Sequence, residues 1–176
     1  MISFKDTIIK DVKIITPTIY SDDRGYFFES YNSKLFSKIL KKIIFNQDNE
    51  SKSKFGTLRG IHFQKKPFEQ SKLIRVIKGK IQDVAIDLRS DSPTFKKYVS
   101  VILDDKNKNQ LFVPKGCGHA FLTLSNEAIV SYKVDNFHSI DHDCGIKYDD
   151  PEVDIYWNLD KKDIKLSDKD QELPYL

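Results

Sequence analysis

Cysteine is scarce in this chain: Cys117 and Cys144 are the only two in 176 residues. Two isolated thiols cannot build the dense disulfide framework of a small secreted domain, so both are expected to stay reduced, in the cytoplasm. Long apolar runs are missing too, since none approaches the ~20 residues that would span a bilayer. The opening Met-Ile-Ser-Phe-Lys-Asp has no positively charged start followed by an apolar core, which argues against a secretory signal. Nor is there a long basic run. Lys and Arg number 29 against 26 acids, a formal charge of +3. That balance lends slight support to a phosphate-bearing partner and none to general nucleic-acid binding.

Helical signals are few and strand signals many. One amphipathic pattern, Ser33 to Ile44, spaces its apolar residues at three and four and has Asn32 or Ser33 as a candidate cap. Val12 to Ile19 is an apolar run, and the aromatic-rich Tyr26–Tyr31 follows turn residues at 21–25. Strands are then expected at Thr57–Gln64, Ser71–Lys78, Lys80–Leu88, Lys97–Leu103, Asn109–Val113, His119–Leu124 and Ala128–Val134. Lys78-Gly79-Lys80 reads as a tight turn between two of them, and residues 113–118 as a turn before the strand at His119. A charged tail from Trp157 onward has room for short helical turns around Lys161–Lys165. There is no internal repeat and no low-complexity segment. About ten residues per strand is the spacing of a sandwich or barrel rather than of βαβ units. The expected fold is a single all-β domain, a jelly-roll barrel with short peripheral helices and a mouth that takes a small ligand.

Within Thr57-Leu58-Arg59-Gly60-Ile61-His62-Phe63-Gln64, a lone histidine sits in an alternating strand pattern. Side chains in a strand alternate faces, so Leu58, Gly60, His62 and Gln64 share one face and Arg59, Ile61 and Phe63 the other. A bulge at Gly60 would re-aim one of them. Histidine exchanges protons near neutral pH, so a cavity-facing His62 is a candidate general base; a core or surface histidine with a satisfied ring is the plainer reading. A metal site would need three or more converging N or O ligands. The chain has only His62, His119, His138 and His142, and Gln64, a poor ligand, stands two residues after His62. A site of His62, His119 and one carboxylate is the weaker alternative to a barrel without metal.

An ordered set of motifs covers about residues 5 to 172: Asp23-Arg24-Gly25-Tyr26-Phe27-Phe28-Glu29-Ser30-Tyr31; Gln47-Asp48-Asn49 with Ser51 and Ser53; Leu58-Arg59-Gly60-Ile61-His62-Phe63-Gln64; Lys72-Leu73-Ile74-Arg75-Val76; Asp83 to Arg89; Ser92-Pro93-Thr94-Phe95; Pro114-Lys115-Gly116 leading to His119; Leu124-Ser125 leading to Tyr132-Lys133; and Asp149-Asp150-Pro151 with Ile155-Tyr156-Trp157. In this ordered set the chain resembles the dTDP-4-dehydrorhamnose 3,5-epimerases, cupin-type jelly rolls without metal. The resemblance implies one epimerase domain over 1–176, with an N-terminal arm to about 50, a barrel core over about 51–135 and a C-terminal segment over about 136–176. It implies conversion of dTDP-4-keto-6-deoxy-D-glucose to dTDP-4-keto-L-rhamnose for surface polysaccharide such as lipopolysaccharide, with no cofactor, in a homodimer that exchanges N-terminal strands.

Epimerisation beside a ketone removes an acidic C–H, holds an enolate and returns the proton from the other face. On the resemblance His62 is the base, Asp170 orients its imidazole, Tyr132 is the acid on the opposite face and Lys72 faces the developing oxyanion. Asp83 is a second candidate carboxylate, and His119 falls where the family has a second histidine near the sugar. Arg59, Gln47 and Asn49 correspond to contacts with the nucleotide sugar or diphosphate. Arg24, Phe27 and Glu29 correspond to contacts with the base, commonly made from the neighbouring subunit. Taken singly, each has a plainer explanation: Asp170 a solvated or capping tail residue, Tyr132 and Phe27 packing, Lys72 an exposed edge lysine. After Tyr132 the match loosens. Phe137 replaces a usual tyrosine, Cys144 stands where Glu is usual, and residues 116–121 read Gly-Cys-Gly-His-Ala-Phe. Those differences bear on whether C3, C5 or both are inverted. The alternatives are a single-position epimerase, a 3,4-ketoisomerase, or a barrel that binds a sugar nucleotide without catalysis.

Overall fold

The computed structural model describes residues 2–40 and 43–176. Thirteen strands and two short α-helices are present among them. The strands are β1 (Ser3–Asp6), β2 (Lys13–Thr16), β3 (Tyr20–Asp22), β4 (Gly25–Phe27), β5 (Gln47–Lys54), β6 (Leu58–Gln64), β7 (Lys72–Lys78), β8 (Lys80–Asp87), β9 (Tyr98–Asp104), β10 (Gln110–Val113), β11 (Cys117–Thr123), β12 (Glu127–Val134) and β13 (Asp143–Gly145). The helices are α1 (Ser33–Leu40) and α2 (Asp168–Gln171). A six-stranded sheet, β1-β2-β10-β7-β12-β5, faces a five-stranded sheet, β13-β6-β11-β8-β9, and β3-β4 forms a separate hairpin. All pairings within these sheets are antiparallel. Two facing antiparallel sheets with this interleaved strand order make a cupin-type jelly roll.

Three apolar layers hold it. Between the sheets, Ile74, Val76, Ile81, Ala85, Leu111, Phe121 and Val130 interleave. Behind the five-stranded sheet, Ile61, Val84, Ile86 and Ala120 are covered by Ile146, Val153 and Ile155 of the C-terminal segment. Behind the six-stranded sheet, Ile15, Leu73 and Phe112 are covered by Phe36 and Leu40 of α1. Strand β8 is therefore buried on both faces beyond its first residue, and its polar residues Gln82, Asp83 and Asp87 are each hydrogen-bonded there, to Ser100, His119 and Arg89 among others.

Several expectations need correction. The described helix spans Ser33–Leu40 and does not reach Ile44: Lys41 and Lys42 lie outside the described residues, and Ile43 and Ile44 are not helical. Asn32 is its cap, its Oδ1 accepting from the amides of Lys34 (3.1 Å) and Leu35 (3.2 Å). Strand β5, Gln-Asp-Asn-Glu-Ser-Lys-Ser-Lys, was not among the expected strands because it has no apolar residue. Its alternate residues Gln47, Asn49, Ser51 and Ser53 are nonetheless more buried than Asp48, Glu50, Lys52 and Lys54. Strands β1 and β13 also went unread, being three or four residues long.

At the end of β8, Asp87 is fully buried. Its carboxylate accepts from Arg89 Nε and Nη2 (both 2.8 Å), Ser92 Oγ (2.6 Å) and Thr94 Oγ1 (2.6 Å), which fixes the loop to β9. Burial works to raise its pKa, but the guanidinium and the two hydroxyls outweigh it and hold the carboxyl well below the usual carboxylate range.

Candidate active site

The mouth of the barrel opens between the two sheets. Strand β6 carries the site's first elements, and its register explains how. His62 pairs with His119 and Arg59 with Phe121, so two residues, Gly60 and Ile61, stand opposite Ala120 alone. This is a bulge, and it corrects the ideal alternation of faces: Arg59 and His62 both line the cavity, while Ile61 turns outward into the layer behind the sheet. Gly60 permits it. Its φ is +115°, and a Cβ there would fall 2.6 Å from the His119 carbonyl oxygen.

Two adjoining lobes share His62, Lys72, Tyr132 and Lys169. One, of about 300 Å³, is also lined by Ser51, Arg59, His119, Phe121, Ser167 and Asp170. The other, of about 360 Å³, adds Gln47, Asn49, Gln64, Gln70, His138 and Asp143. His62 Nε2 lies 2.6 Å from Asp170 Oδ1. Far from being a solvated tail residue, Asp170 is buried, its amide donating to Ser167 Oγ at the start of α2. Burial acts to raise the Asp170 carboxyl, but the His62 hydrogen bond and charge, Ser167 and Lys169 together lower it. A second pair stands beside the first, with His119 Nε2 2.7 Å from Oδ1 of the fully buried Asp83, whose Oδ2 has no hydrogen-bond partner among the described residues.

Across the cavity, on the six-stranded sheet, stand Lys72 (β7) and Tyr132 (β12). Strand β7 is interior, so Lys72 is not an edge lysine. Desolvation pulls its ammonium down to about 8, against the attraction of Asp143 and then Asp83. Burial raises the Tyr132 phenol above its ordinary value of 10.0, with Arg59 opposing. Arg59 donates to Ser53 Oγ (3.0 Å) and to the Lys52 carbonyl (3.3 Å). Gln47 donates to Asn49 Oδ1 at 2.8 Å. Three cations, Arg59, Lys72 and Lys169, thus converge on one mouth, a setting suited to a phosphate-bearing ligand.

Eight of the residues singled out from the sequence meet here: His62, Asp170, Lys72, Tyr132, His119, Arg59, Gln47 and Asn49. Arg24, Phe27 and Glu29 do not. Arg24 and Phe27 line a separate surface cleft on the β3-β4 hairpin, Arg24 held by Asp22 and Phe27 two-thirds exposed, while Glu29 accepts from Asn32. Of the residues after Tyr132, Phe137 and Cys144 are not in the cavity wall; His138 and Asp143 are. Cys117 is buried in the core, its thiol pushed up to about 12 by burial. Ser51, Gln64, Lys169 and Asp143 were missed as lining residues. The first two share a strand face with residues already singled out, and Lys169 adjoins Asp170 in sequence. For Asp143 the sequence offers no signal. Among the described residues, no three His, Cys, Asp or Glu side chains are grouped as metal ligands, and no helix is long and apolar enough to cross a membrane.

The model of the dTDP-4-dehydrorhamnose 3,5-epimerase family matches residues 6–176. The dTDP-4-dehydrorhamnose 3,5-epimerase of Shigella flexneri is 46% identical over 93% of this chain and 90% of its own length. A crystal structure of the enzyme of that name from Bacillus anthracis, with TDP and PPi bound, is 47% identical, with a TM-score of 0.96 over 100% of both chains. The dTDP-6-deoxy-D-glucose-3,5-epimerase of Legionella pneumophila, in complex with dTDP-4-keto-L-rhamnose, is 40% identical with a TM-score of 0.96, covering 99% of this chain and 93% of that one. By sequence over nearly its whole length, and by fold, this chain belongs to the dTDP-4-dehydrorhamnose 3,5-epimerase family.

Proposed function

We propose that this protein is an isomerase that inverts C3 and C5 of dTDP-4-keto-6-deoxy-D-glucose, giving dTDP-4-keto-L-rhamnose. The observation that carries the reading is a proton acceptor and a proton donor on opposite sheets of one cavity: His62, tied to Asp170 at 2.6 Å, and Tyr132. A neutral imidazole that donates Nε2–H to Asp170 keeps its lone pair on Nδ1. In this reading Nδ1 takes the proton from the carbon next to the C4 ketone, and the C–H electrons move into a C3–C4 or C4–C5 enolate. The Lys72 ammonium stabilises the oxygen that gains charge; a well-aimed donor of this kind is worth roughly 3–4 kcal/mol in the transition state. Tyr132 returns a proton to the opposite face of that carbon and recovers its own from solvent, to which the His62 imidazolium releases the proton it took. Two such rounds invert two centres.

Arg59, with Gln47 and Asn49, is proposed to hold the diphosphate and its sugar, and His119 to border the hexose. Arg24, Phe27 and Glu29 are remote from the His62 cavity within one chain. They are therefore proposed to reach the nucleotide base of a second copy, in a homodimer. The exposure of Tyr20 (62%), Tyr26 (58%) and Phe27 (67%) supports a surface that is covered in the assembly. The product then serves dTDP-L-rhamnose and surface polysaccharide synthesis, including lipopolysaccharide, in the cytoplasm.

Mass spectrometry of the substrate turned over in deuterated water tests the assignment. Two deuteriums in the product are expected, one at each inverted carbon. One deuterium means a single-position epimerase, or a 3,4-ketoisomerase where the carbonyl has moved. No uptake with retained dTDP affinity means a barrel that binds a sugar nucleotide without catalysis.

A further inference from the structure

The β3-β4 hairpin carries Arg24 and Phe27, yet its strands are three residues long and form a sheet of their own. A two-stranded ribbon of that size holds no fixed direction by itself, so its aim depends on what ties it to the barrel. Three consecutive residues where β10 begins each hold a different part of this segment. Asn109 Oδ1 accepts from Thr16 Oγ1 (2.8 Å), on the chain leading in. Lys108 Nζ donates to the Tyr26 hydroxyl (2.9 Å), on β4 itself. Gln110 Nε2 donates to the Ser30 carbonyl (2.8 Å), on the chain leading out.

The loop that presents Lys108 is itself braced. Asp104 Oδ1 accepts from the amides of Lys106 (2.9 Å) and Asn107 (2.6 Å), and Asn107 Oδ1 from the amide of Asn109 (2.8 Å). Asp105 is bonded to Gly79 twice, its amide donating to the Gly79 carbonyl and its carboxylate accepting from the Gly79 amide. Lys108 is only 7% exposed, and its φ of +53° is a left-handed conformation in which lysine is uncommon. Its ammonium meets a phenol rather than a carboxylate. Besides the hydrogen bond, Nζ stands 4.4 Å from the centroid of the Tyr26 ring. Neighbours on a strand point to opposite faces, so Lys108 holds one face of β4 through Tyr26 while Phe27, two-thirds exposed, projects from the other.

We propose that Lys108 is a positioning residue for nucleotide binding: by holding the Tyr26 ring it sets the direction of the hairpin, and with it where Phe27 and Arg24 meet the base in a second copy of this chain. The proposal rests on the reading that the hairpin reaches the nucleotide site of that copy. Lys108 itself is not in the wall of the His62 cavity. A ligand that meets a hairpin already held in place does not have to order it, and the difference appears in affinity rather than in rate.

The test measures kcat, KM and dTDP affinity for Lys108→Met, Tyr26→Leu and their double variant, with sedimentation velocity at the assay concentration. Lys108→Met is expected to raise KM and the Kd for dTDP by about tenfold, because binding must then order the hairpin. At saturation kcat stays within about twofold, since no group of the cavity is altered. A lysine needed only for folding would instead lower kcat with the folded fraction and leave KM where it was. The double variant loses no more than the worse single, as both remove the same tie. Lys108→Arg keeps a donor that can lie over the ring, and should recover most of the affinity. Unchanged KM in Lys108→Met, a fall in kcat alone, or losses that multiply in the double variant overturns the proposal. So does dissociation of Lys108→Met to monomers, which assigns the lysine to the assembly rather than to the aim of the hairpin. Phe27→Ala, run alongside, separates the two claims. Weaker dTDP binding by Phe27→Ala beside a normal Lys108→Met refutes the positioning role alone. Normal binding by Phe27→Ala refutes the hairpin's place in the nucleotide site, and the proposal with it.

Discussion

Asp170 Oδ1 lies 2.6 Å from His62 Nε2, although 108 residues separate them in the chain. The carboxylate keeps one imidazole nitrogen occupied and stabilises the imidazolium that forms when the other takes a proton. Asp170→Asn keeps the shape but removes the charge, and an amide can present its N–H to the ring and reverse the tautomer. Deuterium exchange is expected to fall by roughly 10²–10⁴-fold, in line with amide replacement in other His–Asp pairs. Circular dichroism and dTDP affinity should remain those of the parent.

Lys72, drawn down to about 8 by desolvation, makes both activity and stability depend on pH. Activity that needs its ammonium should decline as pH rises through about 8, and Lys72→Arg should move that limb upward at a lower overall rate. The stability effect runs the other way. A lysine with a folded pKa below its ordinary 10.5 penalises the folded state below pH 8, and the penalty is relieved between there and 10.5. Lys72→Met should therefore stabilise the protein at pH 7 by up to ~3 kcal/mol while abolishing turnover. Urea unfolding at pH 7 checks it; a loss of stability would contradict the desolvated ammonium.

Gly60 faces two constraints together, a φ of +115° and a His119 carbonyl 2.6 Å from where a Cβ would sit. Gly60→Val should cost at least ~2 kcal/mol, read by thermal or denaturant unfolding. Where the variant still folds, Arg59 is re-aimed and dTDP affinity should fall. Unchanged stability would mean that the bulge relaxes without cost.

Asp87 is the corresponding test far from the cavity. Its carboxyl is lowered, so its contribution is present above the ordinary carboxylate pKa and is lost as pH falls through the folded value. Asp87→Ala leaves Arg89 with only Asp11 and should destabilise by about 3 kcal/mol at pH 7. The difference from the parent should shrink below pH 3. Exchange activity of the folded fraction should be unchanged.

What the sequence could reveal was whatever is local. Strands β6 to β12 are legible because apolar alternation, β-branched residues and turn signals all lie within a few residues of one another. Strand β5 is not, because both its faces are polar: one looks into a polar cavity and the other away from it, so no apolar period marks it. The motif order in one chain carries the family, and with it eight residues that do meet in the cavity.

By itself, then, the sequence determined the all-β class, the spacing of the strands and the identity of the reactive side chains. Tertiary structure alone decided which of them meet. A bulge swung Arg59 onto the same face as His62, β8 supplied a carboxylate to His119, and a short C-terminal turn brought Asp170 to His62 with Asp143 and Lys169 beside it. The physical reason is one of range. Propensity and periodicity act over a turn or a strand, whereas a cavity is made where segments distant in sequence pack, and nothing within a single segment records its neighbour.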